Sequence, residues 1–171
     1  MVAVASSGTA VVTLPEETQI LITREFDAPK HLVYRAYTEP ELISQWWSGE
    51  RGKVTSVEVD LRVGGAWRYV MMANEGFEVA FHGEYQEVVP DEKLVNTEIF
   101  EGAPGVPAPA DGSAPPVVVT TTFTEVDGRT ILTQLSECGS QEIRDLIIGT
   151  GMEGGMQEAM DRLEQVAISL G

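Results

Sequence analysis

The chain is poor in cations, histidine and cysteine, and each shortage removes a class of function. Its 171 residues hold 11 Lys and Arg against 27 Asp and Glu, a formal charge of −16. No basic patch is available to displace counterions from a phosphate backbone, so nucleic acid is excluded as a partner. Anionic membrane surfaces are disfavoured for the same reason, and the charge reads as a source of solubility and self-repulsion. Cys138 is the only cysteine, which rules out an intrachain disulfide. With only His31 and His82 besides, no zinc ligand set can be assembled, so neither metal nor cofactor is expected. Cys138 has no His or Asp at a recognisable local spacing and reads as packing rather than a nucleophile. No apolar run approaches the roughly 20 residues of a membrane span. The opening MVAVASSGTA has neither a basic n-region nor a continuous apolar core, so a cytoplasmic location is expected.

What is present is one domain's worth of alternating strands and two helical regions. Residues 1–17 read as a flexible lead-in and 18–171 as the domain. Strand periodicity starts at 18–26, with Ile20, Ile22, Arg24 and Phe26 on one face. It resumes at 53–61, 66–73, 77–88, 93–100, 117–126 and 130–137. Trp67, Tyr69 and Met71 share a face, as do Phe77, Val79, Phe81, Gly83 and Tyr85. Asn74-Glu75-Gly76 and Asp127-Gly128 are turn signals. Residues 101–116 (EGAPGVPAPADGSAPP) hold five of the nine prolines, too many for a strand or packed helix. They read as a mobile loop, either an elongated hairpin connection or a lid.

Residues 25–47 are the densest in signal. Asp27 and Pro29 sit where a helix start would use a side-chain acceptor and a missing N–H. Thr38 with Glu41 has the spacing of a capping box for a second short helix. Leu32, Val33, Ala36 and Tyr37 give the first helix an apolar side, and Leu42, Ile43, Trp46 and Trp47 the second. From Ser140 the period is helical, with a break expected at 149–151 among its glycines. Met152, Met156, Met160, Leu163, Ala167 and Leu170 then form an apolar stripe opposite Glu153, Gln157, Glu158, Asp161 and Glu164.

The runs FDAPKHLVYRAYTEPELISQWW, VEVDLRVGGAWRYVM, FHGEYQEVVPDEKLVNTE and GMEGGMQEAMDRLEQ resemble, in that order, the START-like SRPBCC superfamily. Within it, the match is to bacterial proteins similar to the C-terminal domain of the heat-shock chaperone ATPase activator. The resemblance implies an α+β helix-grip fold, with a curved antiparallel sheet around a long C-terminal helix and two short helices after strand one. It implies an apolar cavity between sheet and helix, lined here by Trp46, Trp47, Trp67, Tyr69, Met71, Phe81, Tyr85, Met152, Met156 and Met160. A small hydrophobic or amphipathic ligand is the leading expectation. A cyclase- or hydrolase-like enzyme using Arg24, Tyr69 and Glu98 in the same cavity is a second. A co-chaperone-like interaction module is a third. Fold alone does not choose among them.

Two points stay open at this level. Leu94, Asn96, Glu98 and Phe100 and the alternate set Val95, Thr97 and Ile99 are equally good inner faces. If the first set faces inward, Glu98 and Arg24 can pair and avoid an isolated buried charge. Trp46 and Trp47 are adjacent and cannot share one helical face, so one seals the core while the other reaches the cavity mouth or a homodimer contact. His82 is expected on the outer surface beside Glu84.

Overall fold

The computed structural model describes residues 10–101, 117–149 and 152–171, excepting the side chains of Met152 and Glu153. The expected loop 101–116 therefore lies outside the described residues apart from Glu101. Eight strands form one antiparallel sheet in the order β1-β2-β8-β7-β6-β5-β4-β3. They are β1 (Val11–Thr13), β2 (Gln19–Phe26), β3 (Gly52–Val59), β4 (Ala66–Ala73), β5 (Glu78–Val89), β6 (Lys93–Phe100), β7 (Val117–Val126) and β8 (Arg129–Glu137). Helices α1 (Lys30–Thr38) and α2 (Pro40–Ile43) lie between β2 and β3, and α3 (Gln141–Gly149) and α4 (Met152–Ser169) follow β8. The helical region thus divides between Gly149 and Met152, at the expected glycines.

β1 corrects the lead-in. Val11 and Val12 pair with Thr23 and Ile22, and Ala10 is buried with its backbone tied to the Gln157 side chain in α4. Three residues in an edge strand are too few to reveal a period, which is why the sequence reads as featureless there.

The helix starts also differ from the sequence reading. Asp27 does not cap α1; the N-cap is Pro29, and the free Lys30 amide donates to Glu125 Oε1 at 2.9 Å. No capping box forms at Thr38, whose hydroxyl donates to Tyr34 O instead. Pro40 restricts Glu39 to extended backbone (φ −83°, ψ 124°), and this ends α1 and starts α2. Trp46 Nε1 donates to Ala36 O at 2.7 Å, filling one of the carbonyls left open by the last turn of α1.

The core joins α4 and α1 to the β2/β8/β7/β6 half of the sheet. Met160, Leu163, Val166 and Ala167 pack with Ile20, Ile22, Phe26, Leu94, Phe123, Leu132 and Val33. Asp127 and Gly128 both take positive φ (53° and 78°), the conformation of a two-residue turn matched to strand twist, and join β7 to β8.

Glu164 overturns the polar-face assignment of α4. It is 4% exposed, and its Oε1 accepts from Arg24 Nη2 at 3.0 Å while its Oε2 accepts from the Asp27 amide. Arg24 is completely buried, with Asp161 a second acid at 3.3 Å and its guanidinium over the Phe26 ring. This buried pair replaces the anticipated Arg24–Glu98 pair and pins α4 to β2.

Candidate functional site

Register decides which side chains enter the concavity. Arg24 pairs with Leu132, Leu132 with Phe123, Thr121 with Leu94 and Val119 with Asn96. Cα partners share a face, so Leu94, Asn96, Glu98 and Phe100 point inward and Ile99 outward, where it is 38% exposed. The same logic carries Tyr85, opposite Asn96, and Phe81, opposite Phe100, onto the inner face. Tyr69 follows opposite Phe81, and Val57 opposite Tyr69.

The inner residues fall into two groups. Near α4 they are dry and close-packed. Farther along, Tyr37 of α1 and Tyr69 and Glu98 of the sheet are only partly covered. These partly covered inner residues outline the concavity beneath the sheet, the candidate hollow. The hollow's wall is aromatic. Trp47 meets Tyr69 and Phe81 edge-on at 5.4 and 5.8 Å, Trp67 lies 4.8 Å from Tyr69, and Phe81 lies 5.0 Å from Phe100.

The polar groups of the hollow converge. Gln134 Nε2 donates to Tyr37 Oη at 2.8 Å, and Tyr37 Oη is 3.5 Å from Thr121 Oγ1. Burial pushes the Tyr37 phenol up to about 12, with the nearby Glu98 adding to the rise. Burial likewise raises Tyr69 well above its ordinary range, helped by Tyr85, Tyr37 and Glu98, and raises Tyr85. Loss of hydration raises the Glu98 carboxyl from 4.5 to about 7. Among the described residues Glu98 has no hydrogen-bond or ion-pair partner.

A close approach of β5 to β6 adjoins Glu98. The β5–β6 ladder shifts register between Tyr85 and Glu87, and keeps one register from Tyr85 with Asn96 to His82 with Ile99. There the Glu84 amide donates to Thr97 Oγ1 at 2.9 Å, and Trp67 Nε1 donates to Thr97 O at 3.1 Å. Only glycine fits at position 83, because a Cβ would lie 1.9 Å from Thr97 O and 2.7 Å from Trp67 Nε1.

Several expected site residues lie elsewhere. Arg24 belongs to the buried Glu164 pair and not to the hollow. Trp46 is 6% exposed and seals the core, stacked on Tyr37 at 5.6 Å, whereas Trp47 turns into the hollow. The doublet therefore presents no fully exposed indole for a dimer contact. Met160 is core at 4% exposure, Met71 and Met156 are half-buried, and the Met152 side chain lies outside the described residues. Trp67, Tyr69, Phe81 and Tyr85 share the inner face of the sheet. Tyr37 and Thr121 are additions. Tyr37 was hidden by its place on an ordinary apolar helix side, and Thr121 lies in a run of threonines with no distinguishing signal. His82 is on the outer face, where its Nδ1 lies 2.9 Å from Glu101 beside Arg68.

Two open surface clefts are separate from the hollow. One of about 570 Å³ is lined by Lys30, Glu92, Lys93 and the 122–125 segment, and one of about 230 Å³ by Pro40, Glu41, Ser44 and the 54–57 segment. Among the described residues no cluster of His, Cys, Asp and Glu could hold a metal ion, and no helix is long and apolar enough to cross a membrane.

Comparison with solved structures finds the same architecture repeatedly. Protein Ms6760 from Mycobacterium smegmatis superposes with a TM-score of 0.80 at 25% identity, covering 92% of this chain and 96% of that one. A Rhodobacter sphaeroides protein gives 0.81 at 21% identity, with coverage of 94% and 98%, a likeness of fold. A Staphylococcus epidermidis protein gives 0.75 at 27% identity, with coverage of 92% and 94%. No protein of curated function matches the chain. The pattern of the Activator of Hsp90 ATPase homolog 1-like proteins matches residues 27–167. That span runs from the end of β2 through α4, and with the helix-grip architecture it makes this chain a member of the Activator of Hsp90 ATPase homolog 1-like family, within the START-like SRPBCC superfamily.

Proposed function

We propose that the protein binds a small amphipathic molecule in the hollow between the sheet and its helices. The observation that carries this reading is Glu98, an enclosed and unpartnered carboxyl among aromatic walls and tyrosine hydroxyls. A site built only for stability would fill that space with apolar side chains, since an unpaired buried acid is costly. An apolar wall with a few convergent polar groups is the usual composition of a small-molecule site. The wall takes the ligand's body, and Glu98, Tyr37, Tyr69 and Gln134 orient its polar end.

Native mass spectrometry of protein purified gently from its own host tests this reading. A retained small molecule, released on activation, is expected from the wild type and depleted in Phe81→Asp. Bare protein from the host, with no uptake from an added mixture of apolar amphiphiles, contradicts it. Proton transfer by Glu98 to or from a bound ligand is the second reading, favoured by a carboxyl that titrates near neutrality. It predicts turnover of the retained molecule that stops in Glu98→Gln, whereas simple binding leaves the molecule unchanged.

A further inference from the structure

We propose that the polar end of the ligand is a basic nitrogen, carried as an ammonium that pairs with Glu98 inside the aromatic wall. The inference rests on the binding reading above and names the class of ligand. Its ground is the placement of every side-chain cation in the chain. Of the 11 Lys and Arg, nine are ion-paired to carboxylates other than Glu98. The remaining two, Lys53 and Arg162, are exposed. Both histidines lie outside the hollow, His31 exposed on α1 and His82 on the outer face of β5. The segments outside the described residues contain no Lys, Arg or His, so no side chain from them supplies a counter-cation. The hollow therefore holds an acid for which the protein provides no basic side chain.

The surroundings suit a cation. Indole and phenol rings attract one through their π faces, most strongly where water is excluded. Tyr69, which interacts with the carboxyl, supplies such a face, and Trp47, Trp67 and Phe81 extend the aromatic wall around it. The same site rejects a carboxylate ligand, which would place like charges together in a medium that screens them poorly.

The groups that face Glu98 also fix the pH behaviour. They are Tyr37 from α1, Tyr69 from β4 and Cys138 after β8, with Tyr85 of β5 on the same face opposite Asn96. From β2 the nearest cation, Arg24, is held by Glu164 and Asp161 of α4, and β7 offers only Thr121 and apolar side chains. All three phenols and the thiol are raised by burial. Glu98 is then the group of the hollow that changes charge between pH 5 and 8.

Displacement of the neutral fluorophore N-phenyl-1-naphthylamine tests the inference, using 2-naphthylmethylamine against its near-isostere 2-naphthalenemethanol. The amine is expected to bind about tenfold or more tightly than the alcohol at pH 8, as a charge-assisted contact implies. That preference should shrink at pH 5.5 and vanish in Glu98→Gln, which should still bind the alcohol and so report an intact hollow. Equal binding of amine and alcohol, or a preference unchanged in Glu98→Gln, overturns the ammonium assignment and leaves the hollow as a binding site. Failure of all three probes to bind wild type overturns both.

Discussion

Replacing Glu98 with Gln should stabilise the protein at alkaline pH and leave acid stability nearly unchanged. The carboxyl titrates at about 7 in the fold against 4.5 for an ordinary glutamate, and its cause is loss of hydration. That is a difference of roughly 2.5 pH units, and at about 1.4 kcal/mol per unit ionisation inside the hollow costs on the order of 3 kcal/mol. The sign follows from proton counting. Between pH 4.5 and 7 the folded state holds a proton that the unfolded chain has released, so folding stability falls as pH rises through this window and then levels. Gln keeps the shape and cannot ionise. The stability difference between Glu98→Gln and wild type should therefore be small at pH 4, grow through pH 5–7 and plateau near 3 kcal/mol by pH 8. Urea denaturation of both proteins across that range measures it, and taking the difference cancels the general repulsion of a chain with a formal charge of −16. A difference that stays flat with pH would show that Glu98 is hydrated like a surface acid, and the hollow's electrostatics would be wrong.

Arg24→Met should cost about 3–5 kcal/mol by leaving Glu164 buried without its cation. The double variant Arg24→Met/Glu164→Met should recover most of it in the same denaturation assay, and no recovery would contradict pairing as the source. Gly83→Ala should destabilise by about 1–3 kcal/mol, because its Cβ would meet Thr97 O at 1.9 Å, and should shift the fluorescence of Trp67. Wild-type stability there would show that the close β5–β6 approach can relax. Met160→Asp should lose several kcal/mol, since that side chain is 4% exposed in the core, and an unchanged urea midpoint would remove α4 from its place on the sheet.

Strands and helix order were legible in the sequence because burial on one face imposes a period. The inward line Ile20, Ile22, Arg24 and Phe26 and the face of Trp67, Tyr69 and Met71 both appear in the structure as read. Local periodicity could not choose the inner face of β6, where Leu94/Asn96/Glu98/Phe100 and Val95/Thr97/Ile99 alternate equally well. Pairing with Tyr85 on one side and Val119 on the other makes the choice, and that is long-range information. The same limit hid Glu164, which looks like solvent-facing helix polarity until Arg24, 140 residues earlier, is folded against it. Thr38 and Glu41 carry a capping-box spacing that the fold does not use, because Pro40 sets the helix boundary first. Of the candidate site, the aromatic wall was visible as a face. The isolation of Glu98 was not, since it depends on where every cation in the chain goes.

Methyl NMR of methionine-labelled protein titrated with N-phenyl-1-naphthylamine tests the central claim most directly. Met71 lies on the concave face beyond Tyr69 and Met156 on the helix side, whereas neighbouring Met72 is on the outer face at 41% exposure. A ligand in the hollow should shift Met71 and Met156 saturably and leave Met72 in place. Shifts confined to Met72, or none at Met71 and Met156 despite saturating probe, would contradict a binding site beneath the sheet.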